Sequence, residues 1–164
     1  MIRYATFKTR LGALYATLEG DGLTGLYFEG GRHAPCISAD WTPDEEAAPL
    51  VACGRQLEEY FAGMRRAFDL PLAPRGTPFQ VRVWQEIARI PYGRTLSYAQ
   101  LAERVGQPHA VRAVGAANGR NPLSIIVPCH RVVGSDGSLT GYAGGLERKL
   151  ALLGLEGALQ PALA

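Results

Sequence analysis

The sequence has no long apolar segment. Among its 164 residues there is no run of 18 apolar side chains, and Met1–Thr6 contains no apolar stretch of the kind that a secretion signal carries. These absences argue against a secreted or membrane-spanning protein. We therefore expect a cytoplasmic protein with no membrane partner.

Cysteine is also scarce. The three cysteines, Cys36, Cys53 and Cys129, are an odd number without CxxC spacing. This argues against a disulfide framework and favours free thiols in a reducing compartment. His33 and Cys36 form one isolated HxxC pair, which offers too few ligands for a closed zinc site. We expect neither a bound metal nor a cofactor.

Acidic residues are missing from one stretch of the chain. No Asp or Glu occurs between Glu103 and Asp136. That window holds four arginines: Arg104, Arg112, Arg120 and Arg131. Residues 1–74 carry seven basic and ten acidic side chains, whereas residues 75–164 carry ten basic and five acidic ones. The asymmetry indicates that the C-terminal part faces a polyanion such as a nucleic acid.

The first third of the chain favours strands. Three short β-prone runs are separated by glycine turns, as in a meander: Arg3–Lys8, Leu14–Leu18 and Leu23–Phe28. The segment Thr42–Glu45 offers an N-cap, a proline and two acids for a helix that runs to about Ala62. Pro49 either kinks this helix or marks its true first turn. The alternating apolar side chains of residues 68–72 indicate one more strand.

The pattern becomes helical after residue 76. Thr77–Gln80 and Ser97–Gln100 are capping boxes, and the second one opens a short helix that reaches Val105. A turn at Gly106–Pro108 leads into a further helix over about His109–Asn118. Two short helices joined by a glycine turn are typical of a helix-turn-helix, although a plain helical hairpin packed in a core has the same pattern.

These elements predict an α+β fold with two domains. Residues 1–74 form a small N-terminal α/β domain of antiparallel strands plus a helix. Residues 75–164 form a mainly helical C-terminal domain that contains the helix-turn-helix. The segment Ala73–Gly76 is the linker, because the net charge changes sign there.

The stretch Asn121–Val133 carries the candidate chemistry. An apolar segment, which we expect to be a strand, runs into Pro128 and is followed by Cys, His and Arg at positions 129–131. A thiol is a good nucleophile only as thiolate, and a neighbouring imidazole and guanidinium can supply a base and a favourable field. Adjacent residues of a strand point to opposite sides, so direct Cys–His contact needs a break in the strand or a bridging water. A buried structural cysteine is the alternative, and we assign the other two cysteines to it.

The segment Pro128–Val132 (PCHRV) resembles the active-site motif of the O6-alkylguanine-DNA alkyltransferases, also called methylated-DNA–protein-cysteine methyltransferases. Further segments resemble that family in order and spacing: Thr77–Gln80, Val83–Trp84, Ile90–Gly93, Ser97–Tyr98, Arg112–Gly115, Ala117–Gly119, Gly141–Tyr142, Gly144–Leu146 and Leu152–Gly157. The resemblance is dense from residue 77 to residue 157 and weak before it.

The resemblance implies a single-turnover DNA repair reaction. Cys129 would take the alkyl group from O6 of guanine in double-stranded DNA, irreversibly, after the base is flipped out. His130 would act as base through a water, Glu156 in the C-terminal helix would orient it, and Asn121 would bridge the recognition helix and the active-site strand. The protein would be a monomer that can cluster cooperatively on DNA. Activity on O4-alkylthymine stays open.

The resemblance also assigns residues to the base and to DNA. Tyr98 would contact N3 of the base and crowd a phosphate, and Lys149 would polarise the site. Four further residues would line or close the base pocket: Val127, Val132, Tyr142 and Ala143. Arg112 would fill the gap left in the base stack. The remaining DNA contacts would come from small or basic residues: Ala110, Ala113, Gly115, Ala117, Asn118, Arg120 and Arg131.

Two departures and two alternatives stand beside this interpretation. Ala143 replaces a hydroxyl residue common in the family, which removes one hydrogen bond to the leaving oxygen. The alkyltransferase-like proteins, which bind lesions without repairing them, carry Trp at the position of Cys129 and are disfavoured. The first alternative is a helix-turn-helix protein that senses damage or regulates transcription without chemistry. The second is a Cys–His hydrolase of small molecules, against which the acid-free arginine window argues.

Overall fold

The computed structural model describes residues 1–158 and has an α+β fold. The strands are β1 (Arg3–Thr9), β2 (Gly12–Glu19), β3 (Gly22–Phe28), β4 (Thr42–Pro43), β5 (Leu96–Ser97) and β6 (Val132–Val133). The helices are α1 (Ala48–Phe61), α2 (Pro78–Ile87), α3 (Tyr98–Arg104), α4 (Val111–Gly119) and α5 (Leu146–Leu155), with a 3-10 turn at Cys129–Arg131. Within the described residues, no helix is long and apolar enough to cross a membrane.

The N-terminal sheet confirms the predicted meander. Its order is β3-β2-β1-β4, with β1, β2 and β3 antiparallel and the short β4 parallel to β1. Helix α1 covers the sheet with a stripe of fully buried side chains that includes Leu50, Leu57 and Tyr60. The opposing side chains Leu14 and Leu18 of β2 are also fully buried, because a sheet and an amphipathic helix must bury their apolar faces against each other.

The start of α1 differs from the prediction. Thr42 does not cap the helix, since Thr42–Pro43 pairs with β1 instead. The Asp44 carboxylate accepts hydrogen bonds from the next turn, at 3.0 Å from both the Glu46 and Ala47 amides. Pro49 lies in the first turn of α1, where its missing N–H costs no hydrogen bond.

The predicted strand over residues 68–72 is absent from the described chain. Only one parallel bridge forms there, between Leu23 and Leu72, through hydrogen bonds at the Pro71 carbonyl and the Ala73 amide. Pro71 has no N–H with which to extend the ladder. The alternating apolar pattern therefore packs along the sheet edge without becoming a full strand.

The capping boxes of the C-terminal part are confirmed. Thr77 Oγ1 accepts from the Gln80 amide at 3.1 Å, and Gln80 Oε1 accepts from the Thr77 amide at 2.9 Å. Ser97 and Gln100 make the same reciprocal pair. Each box satisfies two backbone donors that a helix start leaves free. Both helices therefore begin where the sequence predicts.

Helices α3 and α4 form the helix-turn-helix. The turn contains Gly106 at φ 77°, a conformation that glycine adopts without strain. Helix α4 begins at Val111 rather than His109, because the Ala110 amide bonds to the Gln107 carbonyl and closes a separate turn. The Trp84 indole donates to the Ala117 carbonyl at 2.8 Å and fixes α4 against α2.

Candidate active site

A tight turn carries Cys129, not the end of a strand. The expected strand over residues 123–127 is wrong: Val127 N bonds to Leu123 O in a turn, and Ile125 takes φ 71°. The Asn121 side chain holds this turn, donating to Val127 O at 2.8 Å and accepting from Leu123 N at 3.0 Å. A 3-10 turn over Cys129–Arg131 follows, so the extended backbone that would point Cys129 and His130 to opposite sides is absent here.

The Cys129 thiol is held in a buried site. Its residue is only 3% exposed. Burial raises the pKa of the thiol, while a hydrogen bond from Asn121 and the charge of Lys149 act to lower it. Desolvation disfavours the charged form, so the resting thiol is protonated. A reaction at this sulfur therefore needs a base that removes the proton while substrate is bound.

Three charged or titratable side chains form a buried network beside that thiol. His130 Nε2 lies 2.8 Å from Glu156 Oε2, and Arg131 donates to both Glu156 oxygens at 2.7 and 3.0 Å. Arg131 also donates to the Ile90 carbonyl at 2.7 Å. Glu156 was expected inside the C-terminal helix, and the structure places it directly after α5, as the C-cap. The network brings together a base, an acid and a cation with little solvent access.

The electrostatics of the network select one form of His130. Burial lowers the pKa of His130, against the opposing effect of Glu156. Burial would raise the pKa of Glu156, but hydrogen bonds and charges from His130 and Arg131 lower it to about 2. An anionic Glu156 accepts a hydrogen bond from the N–H group at Nε2, which leaves the lone pair of His130 on Nδ1. Nδ1 has no hydrogen-bond partner among the described protein atoms, so it is the nitrogen able to accept a proton.

Tyr60 is a fourth member of the network and was not among the predicted site residues. This residue of α1 is fully buried, and its hydroxyl donates to Glu156 Oε2 at 2.6 Å. The two residues are 96 positions apart. One signal was present: a tyrosine in the buried stripe of an amphipathic helix needs a partner for its hydroxyl. The N-terminal domain thus takes part in fixing the acid that orients His130.

Lys149 is fully buried and spans two segments of the site. Its ammonium donates to the carbonyls of Val132 and Thr140, at 2.6 and 2.8 Å. Burial lowers its pKa to about 8, although the nearby Cys129 acts to raise it. A cation held by two carbonyls near the sulfur stabilises a thiolate.

The remaining residues implied to bind the base surround this centre. Val127 and Val132 are buried. Tyr142 is buried with its ring edge-on to His130, the ring centres 6.4 Å apart. The Tyr98 hydroxyl donates to the Thr140 carbonyl at 3.0 Å. The half-buried Ala143 accepts from the Arg32 amide at 2.7 Å. The loop over residues 140–144 therefore contacts Tyr98 and His130 of the site, and also Arg32 outside it.

The residues expected to contact DNA differ in their exposure to solvent. Arg112, Ala113 and Arg120 are exposed, and Ala110 and Gly115 are half-buried. Three other expectations need correction: Ala117, Asn118 and Arg131 are buried. Ala117 and Asn118 lie on the inner face of α4, and Arg131 is held by Glu156. Their side chains are not available to a duplex.

Within residues 1–158, no group of three or more His, Cys, Asp or Glu side chains is arranged to hold a metal ion. Cys53 is buried in the core, as expected, whereas Cys36 is exposed, so its assignment as a buried structural cysteine is wrong. Burial raises the pKa of Cys53 to about 12, which suits the structural role assigned to it. The absence of a metal and of a cofactor stays a prediction.

Comparison with known proteins identifies both parts of the chain. Residues 78–158 match the model of the 6-O-methylguanine DNA methyltransferase DNA-binding domain, and residues 2–74 match the ribonuclease-like domain of the same methyltransferase. The methylated-DNA–protein-cysteine methyltransferase of Methanosarcina acetivorans is 47% identical, over 94% of this chain and 97% of its own. The constitutive enzyme of Bacillus subtilis is 47% identical, over 93% of this chain and 94% of its own.

Solved structures agree with these matches. A crystal structure of the Mycobacterium tuberculosis O6-methylguanine methyltransferase superposes with a TM-score of 0.88 at 48% identity, covering 99% of this chain and 96% of that chain. A crystal structure of Mycobacterium tuberculosis OGT in complex with DNA gives a TM-score of 0.87 at 46% identity, covering 98% and 96%. The chain belongs to the family of methylated-DNA–protein-cysteine methyltransferases.

Proposed function

We propose that this protein repairs double-stranded DNA by moving the alkyl group of O6-alkylguanine onto Cys129, once and irreversibly. The observation that carries the proposal is the buried Cys129 thiol beside a network that holds His130 neutral. Membership of the methyltransferase family supports it, as do relatives whose names state that they act on methylated DNA.

The proposed reaction begins with the thiol proton. His130 Nδ1 takes this proton through a bridging water, and Glu156 balances the imidazolium that forms. The thiolate attacks the alkyl carbon in line. The new S–C bond forms as the C–O6 bond breaks, and the electron pair leaves with the guanine oxygen. The guanine anion is neutralised by the proton that the thiol gave up. A thioether remains on Cys129, and no group in the site can hydrolyse it.

Access to O6 requires that the nucleotide leave the duplex. Flipping costs a few kcal/mol in lost pairing and stacking. Arg112 is exposed on α4 among small residues, where it can enter the vacated stack. Ala110, Ala113 and Gly115 allow close approach of the α4 backbone to the minor groove. Lesions occur in any sequence, so contacts to shape and phosphate serve this protein better than base-specific ones.

The proposal also includes the domain division, the base pocket, the oligomeric state and a second substrate. The domain boundary lies at the segment Ala73–Gly76, which divides residues 1–74 from residues 75–164; residues 159–164 lie outside the described residues. Tyr98, Tyr142 and Lys149 shape the base pocket around the sulfur. The protein acts as a monomer, and O4-alkylthymine is a second substrate to be tested in the same assay.

Peptide mapping after reaction with a duplex that contains O6-methylguanine tests the proposal. We expect a mass increase of one methyl group, confined to the peptide that contains Cys129. An unmodified protein that still binds the duplex would support the alternative of a helix-turn-helix damage sensor without chemistry. A methyl group on Cys36 or Cys53 would overturn the assignment of the acceptor.

A further inference from the structure

A cleft opens between the N-terminal sheet and the end of α4, next to the loop over residues 140–144. It has a volume of about 230 Å³. Its walls include four basic side chains: Arg32, His33, Arg75 and Arg120. Gln80 and Ser124 add neutral polar groups to the lining. The cleft shares Asn121 and Ala143 with the surroundings of the Cys129 site, whereas Cys129, His130 and Glu156 do not line it.

The positive charge of this cleft is only partly compensated. No Asp or Glu lines it within the described residues. In that same part of the chain, Arg32 and Arg120 form no salt bridge, while Arg75 pairs with Glu19 at 2.8 Å and stays 77% exposed. Arg32, His33 and Arg120 line the same cleft, and burial together with the charges of Arg120 and Arg32 lowers the pKa of His33. Two guanidiniums without an acidic partner beside one cleft are an arrangement that a phosphate group stabilises.

The position of the cleft indicates which phosphate it takes. Arg120 is the C-cap of α4, the helix that exposes Arg112. The two arginines are eight positions apart, which corresponds to a rise of about 12 Å along a helix. A duplex that receives Arg112 therefore passes within a few nucleotides of Arg120, and a backbone phosphate of that duplex can reach the cleft.

We propose that this cleft binds a backbone phosphate of the DNA, so that Arg32 brings the N-terminal domain, and Arg75 the linker, into the DNA-binding surface beside Arg120. The proposal rests on the proposed function for its ligand. The Arg32 amide already bonds to the Ala143 carbonyl, so the phosphate would sit against the loop that carries Tyr142.

The test uses the full chain and compares Arg32→Ala, Arg75→Ala and their double variant with Arg55→Ala. Arg55 is an exposed arginine on α1 outside the cleft and serves as the matched control for the loss of one charge. Arg32→Ala keeps the backbone bond to Ala143. Affinity for a duplex with O6-methylguanine is measured by fluorescence anisotropy across a series of salt concentrations.

We expect the double variant to lose about three- to tenfold in affinity and the salt slope to fall by roughly one unit, which corresponds to one phosphate contact. Arg55→Ala should keep the native slope. The transfer rate from free O6-benzylguanine should be unchanged in the double variant, because that reaction needs no duplex. A native chain that fails to react with the free base would refute the proposed function and leave the slope comparison intact.

Inorganic phosphate separates DNA from a free anion as the ligand. Phosphate should shift the His33 imidazole signals in NMR spectra, assigned with His33→Gln, and the duplex should compete for the same shift. A phosphate response in a protein whose double variant binds DNA with native affinity and slope would assign the cleft to free anions and overturn the proposal. The proposal would also be overturned if the double variant kept the native salt slope and phosphate did not shift the His33 signals.

Discussion

Cys129 depends on its neighbours for reactivity, since burial raises the pKa of its thiol. The variant Cys129→Ser should lose all detectable transfer and keep its affinity for the duplex, because a serine hydroxyl is a far weaker nucleophile in the same position. The control Cys36→Ser changes an exposed thiol and should react at the native rate. The transfer rates of both variants are measured with duplex DNA that carries a labelled alkyl group. A Cys129→Ser protein that still removes the alkyl group would contradict the assignment.

Tyr60 acts on the reaction only through Glu156, so it is a positioning residue. Tyr60→Phe removes the hydroxyl that lies 2.6 Å from Glu156 Oε2 and keeps the ring in the core. Hydrogen bonds to charged groups contribute about 1.5 to 3 kcal/mol, so urea unfolding should show a loss of that order.

The reaction should distinguish this role from a purely structural one. Without the Tyr60 hydroxyl, Glu156 keeps only its hydrogen bonds to His130 and Arg131. The pH at which the transfer rate falls should therefore shift along with the pKa of His130. Phe61→Leu, on the same helix, is the control for lost packing. A Tyr60→Phe protein with lower stability but the native pH profile would show that Tyr60 only supports the fold.

The pKa values of the network also predict how stability depends on pH. The folded state lowers the pKa of His130 below 6.5, so the unfolded chain binds the extra proton first as pH falls. The stability that a neutral His130 contributes is therefore present above pH 6.5 and is lost below it, at about 1.4 kcal/mol per pH unit within the window between the two pKa values. Glu156, with its pKa lowered from 4.5 to about 2, contributes above pH 4.5 and loses that contribution towards pH 2.

Urea unfolding of the native protein and of His130→Gln between pH 8 and pH 5 measures the first window. The native protein should lose more stability than the variant as the pH drops below 6.5. Equal losses in the two proteins would show that His130 does not titrate as its surroundings predict.

At the scale of elements, α4 should separate DNA binding from base flipping. If Arg112 fills the vacated stack, Arg112→Ala should lose transfer on duplex DNA by about ten- to a thousand-fold, because flipping costs a few kcal/mol, and should lose much less affinity. The rate with free O6-benzylguanine should stay near native. Arg112→Lys should restore little, since lysine has no planar face to stack on bases.

The comparison of the two substrates decides the role of Arg112. Equal losses on duplex DNA and on the free base would show that Arg112 supports the pocket or the fold. A uniform loss of affinity with a salt slope lower by about one unit, and unchanged transfer from bound duplex, would show an ordinary phosphate contact.

Helices whose starts are fixed by residues close together in the sequence could be predicted. Elements that depend on a specific side-chain contact could not. The boxes at Thr77 and Ser97 place both partners within three residues, so the helix starts were predicted correctly. The segment before Cys129 reads as a strand because its residues are apolar. Its turn is set by the Asn121 side chain bonding to Val127 O, a contact that apolar periodicity does not contain.

At the scale of the whole molecule, the missed part of the site is the part that depends on distant residues. The arginine at position 131 was assigned to DNA because its sequence neighbours lack acids. Its partner, Glu156, lies 25 positions further along the chain. Tyr60, which also bonds to Glu156, lies 96 positions before Glu156. Burial of a guanidinium is stable only with such a partner, and a single sequence does not show the pairing. The charge asymmetry between the domains could be seen in the sequence, because counting charges does not require knowing which residues contact each other.

The most direct measurement of single, irreversible transfer to Cys129 is a count of alkyl groups removed per protein chain when alkylated duplex is in large excess. A thioether on Cys129 cannot be hydrolysed by the groups in the site, so the progress curve should stop at one alkyl group per chain. Fresh protein should start a second, equal step. A curve that continues beyond one equivalent would contradict the irreversible mechanism.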